Sequence, residues 1–280
     1  MKKPQAGFQG ELGAFSQQAA QQLLGEGVRV APYQRFEDVF RALDRKEIQA
    51  AVIPIENTLA GSVHENYDHL LHYEARIVAE TNVRIVHNLI APRGVKLKQL
   101  RRVFSHPVAL NQCLDFFTTH PEVERIPFYD TAGSVKMVIE EKLEDAAAIA
   151  SEVAAAIYGG TILKRSIEDD HRNFTRFFLL SGRKLPATVQ NQSAQEWKTS
   201  LVFTTKNVPG ALFRCISAFA LRDISLAKIE SRPLRGKPWE YLFYVDLLGR
   251  EQDARVQKAL GHLAELADFL RVLGSYPKGD

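Results

Sequence analysis

The sequence predicts an α/β protein in which a larger, mostly parallel sheet region is followed by a smaller βαββαβ unit. Short apolar runs alternate with amphipathic helical segments from residue 6 to about 182, and this alternation restarts near residue 199. The chain has 280 residues, of which 45% are hydrophobic and 25% are charged. This length and composition suit a globular protein with one large and one small domain.

Six short apolar runs are the predicted strands of the larger part: residues 6–9, 28–33, 50–55, 102–105, 126–129 and 147–150. Each lies next to a helical pattern, which is typical of βαβ units. Residues 75–92 are rich in Val and Ile and show no helical period, so we predict antiparallel strands there that cross between two lobes.

Residues 183–197 gather Pro, Asn, Gln, Ser and Thr without apolar periodicity, and they are predicted to be a linker. Strands are predicted after it at 199–205, 225–234, 241–248 and near 269–274, with helices at about 212–220 and 256–267. The resulting order is that of a ferredoxin-like unit over residues 198–280.

The net charge indicates which class of ligand the protein binds, and the cysteine content indicates its redox compartment. The formal net charge is +3 and is evenly spread, which disfavours nucleic acid and favours a small molecule. Cys113 and Cys215 lie far apart, so we expect no disulfide framework and a reduced, cytosolic compartment. No apolar run approaches the roughly 18 residues of a membrane-spanning helix, so no membrane partner is expected.

Five polar loops follow predicted strands, at residues 10–16, 56–62, 105–112, 130–134 and 151–152. Each could simply cap a helix, but ligands of parallel sheets bind where such loops meet helix N-termini. Together they predict a cleft for an anionic ligand. Neither a P-loop nor a GxGxxG motif occurs, so the ligand is predicted to be a small carboxylate rather than a nucleotide.

Three further features have competing interpretations. Thr175 and Arg176 stand where a strand begins, either as the wall of a cleft or as an ordinary strand start with an exposed arginine. A cluster of helical histidines and an aspartate lacks HExxH spacing and is predicted to be structural or solvated rather than metal-binding: His64, Asp68, His69 and His72. Cys113 is predicted to be a core residue rather than a nucleophile.

The motifs together resemble the prephenate dehydratase family with a C-terminal ACT regulatory domain. They are GELGAFSQQA (10–19), VIPIENTLAGSV (52–63), SHPVALNQC (105–113), DTAGSVK (130–136), IASEVAAAIYG (149–159), NFTRF (173–177), GALF (210–213) and ESRP (230–233). The resemblance implies a two-lobed, periplasmic-binding-protein-like catalytic domain over residues 1–182, with crossings near 80–90 and 170–176. It also implies conversion of prephenate to phenylpyruvate without a cofactor. Because the motifs begin by residue 10, no chorismate mutase domain is expected upstream.

The same resemblance, together with the chemistry of the reaction, assigns roles within the cleft. Thr175 would hydrogen-bond the departing hydroxyl, Glu56 could supply its proton, and Arg176 would hold the pyruvyl carboxylate. Asn57 and Gln112 complete the catalytic set. The remaining substrate-binding residues would be Ser105, Thr131, Gly133, Ser134, Asn173 and Phe177, and no metal is expected.

The resemblance further implies that L-phenylalanine binds between paired ACT domains of a homodimer or homotetramer. The effector residues would be Asn207, Gly210, Ala211, Leu212, Phe213, Glu230, Ser231, Arg232 and Pro233. Two other functions stay open: arogenate dehydratase, and a non-catalytic amino-acid sensor. Four departures from the usual motifs bear on substrate preference: Ala14, Phe15, Asn111 and Asp130.

Overall fold

The computed structural model describes residues 5–182, 196–234, 236–237 and 239–279. Most of the predicted linker, residues 183–195, lies outside the described residues. Two compact units are present, one built from residues 5–74 and 81–182, and the other from residues 75–80 and 196–279.

The first unit alternates strands and helices. Its elements in chain order are β1 (Ala6–Gln9), α1 (Phe15–Leu24), β2 (Val30–Tyr33), α2 (Phe36–Asp44), β3 (Ala50–Asn57), β4 (Gly61–Ser62), α3 (His64–His72), β5 (Arg76–Arg84), β6 (Asn88–Ala91), a 3-10 turn (Leu97–Gln99), β7 (Arg102–Ser105), α4 (Pro107–Asn111), α5 (Leu114–Thr119), β8 (Glu124–Pro127), α6 (Thr131–Glu140), β9 (Ala146–Ala150), α7 (Glu152–Tyr158), β10 (Thr161–Lys164) and β11 (Phe174–Ser181). The first residues of β5 belong to the second unit.

These strands form two sheets, each with a parallel centre and antiparallel additions. The first sheet has the order β2-β1-β3-β11-β5, with β4 paired to β3, and the second has the order β10-β6-β9-β7-β8. Strands β1, β2 and β3 are parallel, as are β7, β8 and β9. The chain passes from the first sheet to the second between β5 and β6, and it returns between β10 and β11. The predicted α/β class with two lobes is therefore confirmed.

The second unit contains β12 (Trp197–Thr204), α8 (Ala211–Ala220), β13 (Leu226–Pro233), β14 (Tyr241–Leu248), α9 (Ala254–Leu266) and β15 (Phe269–Pro277). Its sheet has the order β13-β14-β12-β15 with antiparallel neighbours, which is the ferredoxin-like arrangement predicted from the sequence. Apolar side chains from the sheet and both helices form its core, including Phe203, Phe219, Val245 and Leu263.

One short segment does not group with the residues around it. Residues 75–80 belong to the second unit, although the sequence predicted a continuous catalytic domain through residue 182. The buried Glu80 carboxylate explains this, because it accepts from Lys198 Nζ at 2.8 Å and from Gly279 N at 3.0 Å. Gly274 also lets the backbone of β15 approach Ile77, since a Cβ at that position would collide with the Ile77 carbonyl oxygen.

The helices of the described residues are short. The longest of them, α9, has 13 residues, and none in this part of the chain combines the length and apolarity of a membrane span.

Candidate active site

The first unit contains a cavity of about 430 Å³. Four of the five predicted polar loops border it, through residues such as Phe15, Asn57, Gln112 and Thr131, and β11 contributes Thr175. The loops after β1 and β3 leave one edge of the first sheet and those after β7 and β8 leave one edge of the second, because parallel strands present their carboxyl ends at the same edge. The cavity lies where these two edges face each other. The fifth loop has a structural role, because Ser151 Oγ accepts from Ala154 N in α7 and donates to Gly13 O.

Asn57 is the polar side chain of the cavity whose orientation follows most directly from its contacts. Its Oδ1 accepts from the backbone N–H groups of Leu59 at 3.0 Å and Ala60 at 2.8 Å. Because backbone N–H groups can only donate, this amide has a single orientation. Its Nδ2 therefore faces Asn173 Oδ1 at 2.7 Å and Thr175 Oγ1 at 2.9 Å, as the donor in both contacts.

The same logic orients the two amides that follow. Asn173 accepts through Oδ1, so its Nδ2 donates to Gln112 Oε1 at 2.9 Å. Gln112 then presents its Nε2 to Asn57 Oδ1 at 3.2 Å, which closes a ring of three amides. We call Asn57, Gln112 and Asn173 the amide ring.

The amide ring sets the role of the Thr175 hydroxyl. Thr175 Oγ1 accepts from Asn57, and a hydroxyl has only one hydrogen to give. Thr175 borders the cavity, so that hydrogen is left for a group inside the cavity. The sequence-predicted residues Thr175, Asn57 and Gln112 are thus brought together around one donor.

Several predicted substrate-binding residues have other positions. Thr131 and Phe177 border the cavity. Ser105 is fully buried, and its hydroxyl donates to Ile149 O at 2.6 Å, away from the cavity. Ser134 donates to Thr131 O within α6, and Gly133 gives its N–H to the Asp130 carboxylate. Asn173 acts within the amide ring and does not border the cavity.

Arg176 and Glu56 do not border the cavity either. Side chains alternate along a strand, so Thr175 and Phe177 share the cavity face of β11 while Arg176 points to the other side. The Arg176 guanidinium lies 4.8 Å from the centre of the Phe178 ring. Glu56 precedes Asn57 in β3 and pairs in register with Arg176. The cavity geometry therefore gives no support to Arg176 as carboxylate anchor or Glu56 as proton source.

Among the described residues that border the cavity there is no lysine or arginine. Helix N-termini are the available electropositive groups: α1 begins at Phe15 without a side-chain cap, and α6 begins at Thr131. The acidic group at the cavity is Asp130, whose carboxylate accepts from Glu11 N and Gly133 N. Burial raises its pKa, and these two hydrogen bonds oppose the rise.

The sequence analysis did not predict the aromatic and histidine side chains that border the cavity. Burial lowers the pKa of both His87 and His106. Burial raises the pKa of Tyr129 to about 12. Tyr129 donates to Glu11 Oε1 at 3.1 Å. Phe15 and Phe36 supply apolar wall. Of these, only Phe15, His106 and Tyr129 lie within or beside a polar loop that could have revealed them.

The predicted effector residues lie in the second unit at the start of α8 and along β13. Gly210 has a φ of 77° and precedes α8, a conformation that suits glycine. Asn207 Nδ2 donates to Trp239 O at 3.1 Å, which ties the loop before α8 to the β13–β14 turn. Phe213 is 76% exposed, whereas Leu212 packs against the core. Ser231 is exposed, Arg232 is half-buried and Pro233 ends β13.

Comparisons with known proteins show two family matches. The family described as prephenate dehydratase matches residues 6–185, and the family described as ACT domain matches residues 199–264. Among curated proteins, the chain is 45% identical over 280 residues to arogenate dehydratase/prephenate dehydratase 2, chloroplastic, of Arabidopsis thaliana. That alignment covers 96% of this chain and 72% of the relative.

Two solved structures resemble the whole chain. The prephenate dehydratase of Arthrobacter aurescens in complex with L-Phe has a TM-score of 0.88 and 31% identity, with 98% of this chain and 90% of that one covered. A protein described as GqqA, a novel type of quorum quenching acylase, has a TM-score of 0.86 and 31% identity, with 97% of each chain covered.

The two cysteines are expected to be unreactive in the folded protein. Both are buried, and burial raises the pKa of each thiol, so little thiolate forms near pH 8. Iodoacetamide at pH 8 should leave the intact mass unchanged, and it should add two carbamidomethyl groups in guanidinium chloride. Rapid labelling of Cys113 without denaturant would contradict its assignment to the core.

Proposed function

Because the chain belongs to the prephenate dehydratase family and carries an ACT domain after the dehydratase domain, we propose that it converts prephenate to phenylpyruvate, carbon dioxide and water. The observation that carries this proposal is the Thr175 hydroxyl, which the amide ring leaves as a donor to the cavity. A departing hydroxyl needs such a donor, since it leaves as water.

Substrate binding in this cavity relies on neutral groups. The rings of Phe15, Phe36 and Phe177 provide apolar wall for the six-membered ring of prephenate. The N-terminus of α1, which has no side-chain cap, supplies N–H groups for its carboxylates, whereas the Asp130 carboxylate already caps the N-terminus of α6. This suits the chemistry, because a strong positive charge on the ring carboxylate would oppose its loss as neutral carbon dioxide.

The reaction takes up one proton from the solvent for each turnover, because the prephenate dianion gives the phenylpyruvate anion, carbon dioxide and water. As the ring carboxylate leaves as carbon dioxide, its bonding electrons enter the ring and the C–O bond to the hydroxyl breaks. Thr175 donates to that oxygen while Asn57 donates to Thr175 Oγ1, so the growing negative charge is shared along two aligned hydrogen bonds.

Arogenate is the second candidate substrate, and Asp130 favours it. Arogenate carries an ammonium group where prephenate has a keto group. Asp130 is the carboxyl group that borders the cavity, and no lysine or arginine among the described residues borders the cavity to compete for it. Its ionised form would pair with an ammonium group. The Arabidopsis relative carries both substrates in its name.

Acyl transfer, the activity by which one structural relative is described, has less support in this cavity. It needs a nucleophile next to a base. Cys113 lies in the apolar core, and the oxygen of Thr175 contacts the amide group of Asn57. Neither contact would activate a nucleophile. The family match over residues 6–185, which is to dehydratases, disfavours the non-catalytic sensor.

L-Phenylalanine is the proposed effector of the ACT domain. The start of α8 offers N–H groups for the carboxylate of an amino acid, and Ala211 leaves room beside it. Strand β13 is at the edge of its sheet, with Ile229 46% exposed, which supports pairing with a second copy. We propose a homodimer or homotetramer on this basis, and a cytosolic location because both cysteines are free.

The direct test is to supply each substrate to the same preparation. Prephenate should yield phenylpyruvate, measured by its absorbance in alkali, and arogenate should yield phenylalanine, measured by chromatography. The ratio of kcat/KM values assigns the preferred substrate. Turnover of neither substrate would remove the dehydratase proposal.

Two substitutions test the direction of the Thr175 hydrogen bond. Thr175→Val keeps the shape but removes the donor, so kcat should fall about a hundredfold or more. Asn57→Asp places a carboxylate oxygen where Nδ2 donates, which would draw the Thr175 hydrogen out of the cavity and lower kcat to a similar degree. Thr175→Ser keeps the hydroxyl and should retain most of the activity. An Asn57→Asp variant as active as the native protein would contradict the assigned orientation.

Regulation can be measured by kinetics and fluorescence. L-Phenylalanine should lower the rate at subsaturating substrate and change the emission of Trp239, which is 79% exposed and bonded through its carbonyl to Asn207. D-Phenylalanine serves as the control ligand, and Trp239→Phe should lose the optical signal but keep the inhibition. Identical kinetics with and without L-phenylalanine would exclude this effector.

A further inference from the structure

His87 borders the same cavity, yet no motif assigns it a role. It precedes β6 in the segment where the chain passes from the first sheet to the second. The residue is only 2% exposed. Its N–H donates to Glu168 Oε2 at 2.9 Å, and its carbonyl accepts from Ile167 N at 2.8 Å. The backbone of His87 is thus held by residues of the returning crossing.

The His87 ring contacts the amide ring at one atom. Nε2 lies 2.9 Å from Gln112 Oε1, and the orientation of Gln112 is already determined by Asn57 and Asn173. Because Gln112 Oε1 can only accept, the hydrogen of His87 must be on Nε2. The ring packs edge-on against Phe15, with 5.9 Å between ring centres, which fixes its plane.

The opposite nitrogen is consistent with this assignment. His87 Nδ1 is buried and has no hydrogen-bond partner among the described residues. A hydrogen on Nδ1 would be an unsatisfied buried donor, which is costly. Burial also lowers the pKa of His87, so the ring is neutral near pH 7. A neutral ring carries one hydrogen, and Gln112 Oε1 is the acceptor that needs it, so the hydrogen is on Nε2.

We propose that His87, as the neutral Nε2–H form, is a positioning residue: it holds the Gln112 amide so that an N–H and not an oxygen faces Asn57 Oδ1, where an oxygen would push aside the Asn57 side chain that donates to Thr175. This inference rests on the proposed dehydratase function. Among the described residues, His87 and Asn173 are the two donors to Gln112 Oε1. A reversed Gln112 would turn its NH₂ group toward these donors and its oxygen toward the acceptor Asn57 Oδ1. Loss of the His87 donor lowers the free-energy cost of reversing the Gln112 amide.

Substitution of His87 tests the role through catalysis. His87→Leu removes the donor, and kcat should fall about ten- to a hundredfold while KM changes less than about threefold. His87→Gln keeps an N–H near the position of Nε2 and should recover most of the lost rate. His72→Leu, at an exposed position at the end of α3, is the matched control and should have native kinetics.

A double substitution separates positioning from a general structural effect. If His87 acts through Thr175, His87→Leu should lower kcat little further in a Thr175→Val background. Full additivity of the two losses, or a His87→Gln variant as slow as His87→Leu, would overturn the proposal. Thermal denaturation of each variant measures any loss of stability separately.

The tautomer can be measured without substrate. In protein labelled with ¹⁵N-histidine, the ring nitrogens of His87 should show the neutral Nε2–H form at pH 7, and His87→Gln assigns the signal. An Nδ1–H or doubly protonated ring would overturn the proposal even if the enzyme is active. Failure of the dehydratase proposal has a different signature, because the native chain would then turn over neither substrate.

Discussion

The active site depends on two backbone N–H groups, those of Leu59 and Ala60, which both donate to Asn57 Oδ1. An amide side chain looks nearly symmetric in shape but not in hydrogen bonding, so its orientation must be imposed by groups that cannot reverse. Backbone N–H groups are such groups. Once Asn57 is oriented, Asn173 and Gln112 have one orientation each, and the Thr175 hydroxyl is left with its hydrogen free to donate. A turn after β3 thereby controls chemistry on β11.

The amide ring and the helix N-termini make the cavity polar without placing a positively charged side chain in it. The described residues bordering the cavity include no lysine or arginine, and carboxylate binding is left to N–H groups and hydroxyls at helix N-termini. Partial charges of this kind hold a dianion more loosely than guanidinium groups would. For a reaction that discards one carboxylate as neutral carbon dioxide, looser binding of that group favours the transition state over the ground state. Among the described residues that border the cavity, Asp130 is the acidic one, and it bears on the choice between a keto and an amino substrate.

Much of the site could be predicted because its residues follow strands. The polar loops after β1, β3, β7 and β8 were visible as breaks between apolar runs, and parallel pairing explains why the two loops of each sheet leave the same edge. The orientation of Arg176 could not be predicted in this way. The pattern located the start of β11 correctly, but it could not show that Thr175 faces the cavity and Arg176 the other side. That choice follows from the pairing of Thr175 with Asn57 in the antiparallel ladder. His87 had no local signature, since a buried histidine beside an apolar strand resembles any other core position.

The sequence by itself determined most of the strands, the division into a larger α/β part and a βαββαβ part, and the loops that carry polar side chains, but it did not reveal the short strands β4 and β10. These properties follow from periods of two and 3.6 residues and from local turn chemistry. Only the tertiary structure decided which face of β11 meets the cavity, how the amide ring is oriented, and that residues 75–80 group with the second unit. Each of these depends on contacts between residues far apart in the chain: Asn57 with Thr175, Gln112 with Asn173, and Glu80 with Lys198. No local period encodes such contacts, because they exist only when distant segments pack together.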